Sequence, residues 1–448
     1  SNSSVKGGAA KDNIAGLGLS ASQVYGNVGA DTINFSGGVT SATILGGGGS
    51  TDSGADSIVV GGLVSASSVA GGDAADTFNF AAISSSTIDG GTASDTIYMT
   101  GALTGSSVIA GTGDDLVTVS GAVATSSLLG GSGNDSLTFA SSVSNTRIEL
   151  GTGADTVNVE GAISTTTILG STDSASFVQL ESTVKTASSI VGAGGADTII
   201  IGGVSTKATI TAGAGNDSLS FAGMTSSSVV GDAGSDTLHI GAALNNSTLI
   251  GGASASLITG IGGIVTSTLV GLTGNDTFKF EGGATGGSIT GGAGVDSLIV
   301  SGAIGATSIH GGSGDDSLIF NTYVSSASIG GGLGNDSVTF AASQTGLSIT
   351  DTRASGVTYF FGTNSGSDTL SFGGQSGTGH TAGTVVPLTI GADTAGIGAS
   401  FTQVAVVTAG GSTYTQFSAG GQSLTILGTN TNVTVTNVSG AVINGFES

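Results

Sequence analysis

The feature that most restricts the fold of this chain is an aspartate that closes a glycine-rich turn and returns about every 20 residues. We call this set the aspartate column, and its members are Asp31, Asp56, Asp76, Asp95, Asp115, Asp135, Asp155, Asp197, Asp217, Asp236, Asp276, Asp296, Asp316 and Asp336, with Asp368 as a weaker match. Two repeats lack the aspartate, and Ala175 and Ala255 are predicted to take its position there. A fixed period of this length is typical of solenoids, in which each repeat forms one coil and stacks on the next.

Apolar residues keep a constant distance from each aspartate. Around Asp135 they are Leu137 and Phe139, two and four residues later, and Leu128, seven residues earlier. Apolar residues at alternate positions are typical of a strand with one buried face. A second turn of small residues, such as 120–122 (Ser-Gly-Ala), follows each such strand. Each repeat is therefore predicted to form two short strands joined by two turns.

Stacked coils place each strand about 4.8 Å from its equivalent in the next coil. The predicted fold is therefore all-β, a right-handed parallel β-solenoid with about 20 residues per coil. The 84 glycines and the lack of a helical apolar period argue against a helical fold.

The repeat register breaks after about Phe340, which divides the chain into two predicted regions. Residues 1–345 are predicted to form the solenoid. Residues 346–448 are predicted to form an irregular last coil and a β-rich C-terminal region that caps the solenoid or mediates assembly. The strand-like segments of this region are 401–408, 422–427 and 432–438. A cap is expected because an uncovered solenoid end is an open sheet edge.

The charge balance limits the partners of the chain. It has 30 acidic and 7 basic residues, which gives a net charge of −23. A polyanion of this kind repels nucleic acid and anionic membranes. No apolar run approaches the ~18 residues of a membrane span, so no membrane insertion is expected. The absence of cysteine excludes disulfides and thiolate chemistry.

Stacking also brings the carboxylates of the aspartate column together. At about 4.8 Å, neighbouring unit charges repel by about 1 kcal/mol in water and by several-fold more beside a low-dielectric wall. Too few basic residues are present to neutralise such a row, so bound cations are expected. Oxygen ligands without cysteine favour Ca²⁺ over Zn²⁺ or copper. A metal-free solenoid with solvated aspartates is the alternative.

The turn resembles the Ca²⁺-binding nonapeptide Gly-Gly-x-Gly-x-Asp-x-U-x of the RTX (repeats-in-toxin) family. The best matches are 130–139, 213–221, 291–300, 311–320 and 331–340. The resemblance implies that the column, Asp368 included, and carbonyl oxygens of the turns hold Ca²⁺ between coils. The motif occurs once per coil here, whereas RTX rolls carry it on both edges. A single row of ions along one edge is therefore expected.

The resemblance to RTX repeats in bacterial surface-layer proteins and large adhesins also predicts a function. It implies an extracellular, secreted bacterial structural protein, exported by type I secretion and folded by Ca²⁺ outside the cell. Self-assembly into a surface layer or matrix filament is expected, with cell-surface polysaccharide as a further candidate partner.

Two other functions stay open. The hydroxyl residue that follows most aspartates is expected to face outward, and such a ladder could bind ice or glycans. Its members are Thr32, Ser57, Thr77, Thr96, Ser136, Thr156, Thr198, Ser218, Thr237, Thr277 and Ser297. The third function is that of a non-catalytic repeat module of a secreted enzyme.

Catalysis is not expected from this chain. His239, His310 and His380 have no carboxylate partner at catalytic spacing in the sequence. No Gly-x-x-x-x-Gly-Lys-Ser/Thr phosphate-binding motif is present, and lysine is scarce.

Overall fold

The computed structural model describes residues 3–47, 54–334 and 336–342, together with the backbone of the strands that lie between residues 344 and 443. All regular structure in these residues is β-strand, and the strands stack in parallel as a β-solenoid of about 16 turns with ~20-residue spacing. The predicted all-β solenoid is thus confirmed. The chain divides into two compact units, Ser1–Ala222 with Ser227–Val229, and Gly223–Ser226 with Val230–Ser448. No helix able to span a membrane occurs in the described part of the chain.

Each coil of the first unit contributes up to three strands, which we call the first, second and third strands after the aspartate. The first strands are Asn13–Gly16, Thr32–Phe35, Ser57–Ser65, Thr77–Ser84, Thr96–Met99, Leu116–Val119, Ser136–Phe139, Thr156–Val159, Phe177–Leu180 and Thr198–Thr206. The separate second strands are Leu19–Ser20, Val39–Thr40, Leu103–Thr104, Val123–Ala124, Val143–Ser144, Ile163–Ser164 and Val184–Lys185. The third strands are Ser4–Lys6, Gln23–Asn27, Thr43–Gly47, Ser68–Gly72, Thr87–Thr92, Ser107–Thr112, Ser127–Ser132, Arg147–Thr152, Thr167–Ser171, Ser189–Gly194 and Thr209–Ala214.

The second unit repeats this order of strands. Its first strands are Thr237–Ile240, Leu257–Gly260, Thr277–Phe280, Ser297–Val300, Ser317–Phe320, Ser337–Phe340, Thr358–Phe361 and Thr389–Ala392. Its second strands are Leu244–Asn245, Ile264–Val265, Ala284–Thr285, Ile304–Gly305, Val324–Ser325 and Gln344–Thr345. Its third strands are Thr248–Gly252, Thr268–Thr273, Ser288–Ala293, Ser308–Ser313, Ser328–Gly334, Ser348–Asp351, Arg353–Ala354 and Asp368–Phe372. The strands Ser218–Thr225 and Ser228–Ala233 contribute residues to both units.

Strands near the C-terminal end pair differently. Thr402–Ala409, Ser412–Ala419 and Gln422–Leu427 form an antiparallel series, and Val435–Thr436 pairs antiparallel with Val442–Ile443. The sequence predicted strands at 401–408, 422–427 and 432–438. The first two are present, and within the third the described strand is the short Val435–Thr436. The middle strand, which turns the series into a meander, was not predicted.

In-register pairing brings equivalent positions of successive coils together. Leu137 of one first strand pairs with Val117 and Val157 of its two neighbours, and Leu128 of a third strand pairs with Val108 and Ile148. All of these side chains are 0–1% exposed. Fully burying an aliphatic side chain contributes about 1.5–3 kcal/mol. Stacked aliphatic side chains therefore form the core of each unit.

The second strands are a difference from the sequence prediction, which gave two strands per coil. Val123 is the inward residue of one such strand, is 1% exposed, and pairs with Val143 of the next coil. It stands eight residues after Asp115, a position where an apolar residue recurs along the chain. This apolar recurrence is a signal that could have revealed the strand.

Candidate metal centre

The glycine-rich turn of each coil leads the chain into its aspartate. Gly131 and Gly133 have φ angles of +121° and +122°, in the left-handed region that side-chain-bearing residues rarely adopt. The turn ends at Asp135, and the strand Ser136–Phe139 begins at the next residue. Backbone geometry thus fixes where the carboxyl group lies.

The structure places the aspartate column inside the solenoid wall. Asp135 is 2% exposed, and the other thirteen members from Asp31 to Asp336 are 1–4% exposed. Fully solvated aspartates, the alternative considered from the sequence, do not match this burial. The side chain of Asp368 lies outside the described residues. Its strand, Asp368–Phe372, pairs with the third strand Ser348–Asp351, whereas the other members of the column precede first strands, so this pairing does not place Asp368 in the column.

Along the column, Oδ1 of one aspartate accepts a hydrogen bond from a backbone N–H of the neighbouring coil. The N–H of Asp95 donates to Oδ1 of Asp115 at 2.7 Å, and the N–H of Asp115 donates to Oδ1 of Asp135 at 3.0 Å. In the second unit, the N–H of Asp276 donates to Oδ1 of Asp296 at 2.8 Å. These bonds fix one oxygen of each carboxylate and hold the column in register.

The second oxygen is the unusual atom of the site. In eight aspartates Oδ2 is buried without a hydrogen-bond partner: Asp95, Asp115, Asp135, Asp155, Asp197, Asp276, Asp296 and Asp316. For Asp135, Oδ2 and the carbonyl oxygen of Leu150 on the next coil both lie within 2.6 Å of the point that a Cβ on Gly130 would occupy. The absence of a side chain at Gly130 therefore leaves room in the wall for two oxygens that can accept but cannot donate, the ionised Oδ2 and a backbone carbonyl.

Burial changes the acidity of these carboxyl groups. Desolvation, reinforced by the charges of Asp115 and Asp155, raises the pKa of Asp135 to about 7, although the hydrogen bond from the Asp115 backbone opposes the shift. Desolvation likewise raises the pKa of Asp316 to about 7, with Asp296 and Asp336 as charged neighbours. At neutral pH the column therefore needs either protons or compensating cations.

In the two coils without an aspartate, the residue at the aspartate position is one place later in the sequence than predicted. The N–H of Ser176 donates to Oδ1 of Asp197, and the N–H of Ser256 donates to Oδ1 of Asp276. Serines 176 and 256, and not Ala175 and Ala255, therefore occupy the aspartate position. The sequence prediction was wrong by one residue at both positions. The coil from Asp155 to Ser176 has one extra residue, whereas Ser256 follows Asp236 by the usual 20 residues, so regular spacing already indicated it.

The oxygen atoms available at this site fit a hard divalent cation. Ca²⁺ takes carboxylate and carbonyl oxygens at about 2.3–2.6 Å in flexible geometries. In the part of the chain that the structure describes, no group of three or more His, Cys, Asp or Glu side chains could hold a metal. A cation in the column would therefore be held by one or two carboxylates and by backbone carbonyls, such as that of Leu150.

A second buried polar column was missed from the sequence. The Ser126 hydroxyl accepts from the N–H of Ser106 at 3.3 Å and donates to the carbonyl of Ala124 at 2.8 Å. Ser126 is 6% exposed, and Ser86 and Ser106 repeat the arrangement. A Ser or Thr nine residues before most aspartates is the signal that reveals this hydroxyl column. Its hydroxyls are satisfied, so it holds the corner of the coil and offers no cation ligand.

The two histidines within the described residues contact hydroxyl groups. Nδ1 of His239 lies 2.9 Å from the Thr259 hydroxyl, and Nε2 of His310 lies 3.1 Å from the Ser308 hydroxyl. His380 lies outside the described residues.

Comparisons of the chain with known proteins do not identify the site. No protein-family model matches the chain, and no curated protein matches it.

Proposed function

We propose that this protein is an extracellular structural protein whose solenoid is stabilised by Ca²⁺ bound along the aspartate column. The observation that carries the proposal is the buried, unpartnered Oδ2 next to a carbonyl oxygen, as between Asp135 and Leu150. A divalent cation that binds Oδ2 and a nearby carbonyl oxygen would compensate the buried negative charge and supply the partner that Oδ2 lacks. The resemblance of the turns to RTX repeats supports the choice of Ca²⁺.

In this proposal, binding free energy becomes folding free energy. The unfolded chain does not hold the carboxylates and carbonyls together, so Ca²⁺ binds the folded coils far better than the unfolded chain. Each tenfold increase in Ca²⁺ concentration above the dissociation constant then adds about 1.4 kcal/mol per site. Secretion before folding, and assembly into a surface layer or filament through the C-terminal region, complete the proposed role.

The test is circular dichroism and thermal unfolding of the full chain with Ca²⁺ and with excess EGTA. The expected result is a loss of β-signal, or a large drop in Tm, in EGTA, and recovery when Ca²⁺ is restored. An unchanged spectrum and an unchanged Tm in EGTA would contradict the proposal.

A second candidate is a binding module that recognises ice or glycans through outward hydroxyls. The observation in its favour is that these hydroxyls are stacked in register, as in the pairing of Thr77 with Ser57 and Thr96. A shallow groove lined by hydroxyl residues of 85–87, 105–107, 125–127 and 145–147 lies at another corner. Thermal hysteresis or binding on a glycan array would favour this candidate over the structural role.

A further inference from the structure

The positions of Ser176 and Ser256 interrupt the aspartate column once in each unit. In the first unit Ser176 lies between Asp155 and Asp197, and its N–H donates to Oδ1 of Asp197 at 2.5 Å. In the second unit the N–H of Ser256 donates to Oδ1 of Asp276 at 2.7 Å. Both serines are 3% exposed, so they replace the aspartate in position, in burial and in the backbone ladder.

Neither serine brings the charged, unpartnered oxygen that aspartates such as Asp135 have. The Ser176 hydroxyl accepts a hydrogen bond from the N–H of Ser171 at 2.7 Å. The Ser256 hydroxyl donates to the carbonyl of Ser254 at 3.1 Å. Both hydroxyls are therefore already engaged within their own turns, and both are neutral.

The gap left by each serine is too wide for one ion to bridge. Asp155 and Asp197 are two coils apart, which at about 4.8 Å per coil separates them by about 10 Å. A Ca²⁺ ion with ligands at about 2.3–2.6 Å spans about 5 Å between opposite oxygens. Elsewhere in the column, two carboxylates of neighbouring coils could share one ion. Each serine has a carboxylate neighbour on either side but brings none itself, so no such pair forms at its position.

We infer that Ser176 and Ser256 divide the cation row into separate stretches that bind and release their ions independently. This inference rests on the proposed function, because it assumes that the aspartate column binds Ca²⁺. It adds that this chain places neutral breaks in the row, so that loss of ions from one stretch does not unfold the coils of the next.

The test uses the full chain and counts bound Ca²⁺ by native mass spectrometry and by equilibrium dialysis with metal analysis. Ser176→Asp and Ser256→Asp supply the missing carboxylate. Ser176→Asn is the control, because asparagine is neutral and similar in size to aspartate. Asp135→Ser makes a new break within an unbroken stretch. We expect each Ser→Asp change to add one or two ions, Asp135→Ser to remove one or two, and Ser176→Asn to add none.

Hydrogen exchange during stepwise EGTA addition provides a second measurement, which does not depend on the folding of the Ser→Asp variants. In the unsubstituted chain, two sets of peptides are compared with the peptides that lie between Ser176 and Ser256. Peptides from 76–155, and likewise those from 276–336, are expected to lose protection at a different EGTA concentration from the peptides between the serines. Simultaneous loss in all peptides would overturn the inference. So would unchanged ion counts in both Ser→Asp variants when Asp135→Ser lowers the count. If the unsubstituted chain binds no Ca²⁺ at all, the proposed function itself fails.

Discussion

At the scale of single residues, a buried carboxylate with one satisfied and one unsatisfied oxygen is the central feature of this protein. Oδ1 of Asp135 accepts from the Asp115 backbone, whereas Oδ2 has no hydrogen-bond partner. A buried ionised carboxylate is costly unless it is paired. The same side chain therefore destabilises the coil when it is ionised without a cation and stabilises it when a cation is bound.

Asp135→Asn separates these two effects. The asparagine keeps an acceptor for the Asp115 N–H, loses the charge, and replaces the unpartnered Oδ2 by an amide group that can donate. We expect the metal-free protein to gain about 1–3 kcal/mol at neutral pH, and the stabilisation by Ca²⁺ to fall. Urea unfolding with Ca²⁺ and with EGTA measures both changes. The control is Asp114→Asn at an exposed neighbour, which removes the same charge and should leave the metal-free stability and the stabilisation by Ca²⁺ nearly unchanged. If Asp135→Asn is less stable than the unsubstituted chain in EGTA, this account is contradicted.

The raised pKa values of the column predict how stability depends on pH without metal. The pKa of Asp95, raised mainly by desolvation, is about 7, and that of Asp155 is about 6, against an ordinary value of 3.8. A carboxyl group of this kind binds more protons in the folded state, so the stability that protonation provides is present below about pH 4 and is lost as the pH rises to about 7. In protein freed of Ca²⁺ at neutral pH and then kept in metal-free buffer, the urea midpoint should therefore decrease as the pH rises from 4 to 7. Saturating Ca²⁺ should reverse that slope. A midpoint of the metal-free protein that rises with pH would be incompatible with buried, uncompensated carboxyl groups.

At the scale of structural elements, the hydroxyl column holds the corner between the second and third strands. Ser126→Ala removes the donor to Ala124 and leaves the N–H of Ser106 buried without its acceptor. A loss of about 1–3 kcal/mol is expected, equal with and without Ca²⁺. The exposed neighbour Ser127→Ala is the matched control. Because Ala208 occupies the same position in another coil, the lower end of this range is expected. A loss that appears only in Ca²⁺ would instead link the hydroxyl column to the cation row.

How well the sequence predicts the fold also differs from one structural element to another. Strands such as Ser136–Phe139 were predictable because two alternating apolar residues follow a glycine turn. The second strands were missed because two residues such as Val123–Ala124 are too short to show a period within the strand, and only an apolar residue that recurs from coil to coil indicates them. The position of the aspartates was predicted from spacing, but a turn carboxylate can face either side of the wall. Only packing against the third strand of the coil, at Gly130, shows that it faces inward.

At the scale of the whole molecule, the net charge of −23 would suggest that any salt stabilises the fold by screening the repulsion between acidic residues. The geometry of the site argues otherwise. Mobile ions screen charges over about 10 Å at 0.1 M, but they act through solvent, which does not reach an oxygen as buried as Oδ2 of Asp135. Screening should therefore relieve only the exposed acidic residues, such as Asp114.

The prediction that follows concerns refolding of the full chain from EGTA. Millimolar Ca²⁺ should restore the β-signal, whereas 0.5 M NaCl should restore little of it. Mg²⁺ should be weak as well, since it demands near-ideal octahedral geometry at about 2.0–2.1 Å and gives up its waters reluctantly, which suits a dry row of carboxylates and carbonyls poorly. Circular dichroism under each condition, with electron microscopy of the same samples, also shows whether assembly accompanies folding. Recovery in NaCl equal to that in Ca²⁺ would mean that general screening and not site binding stabilises the coils.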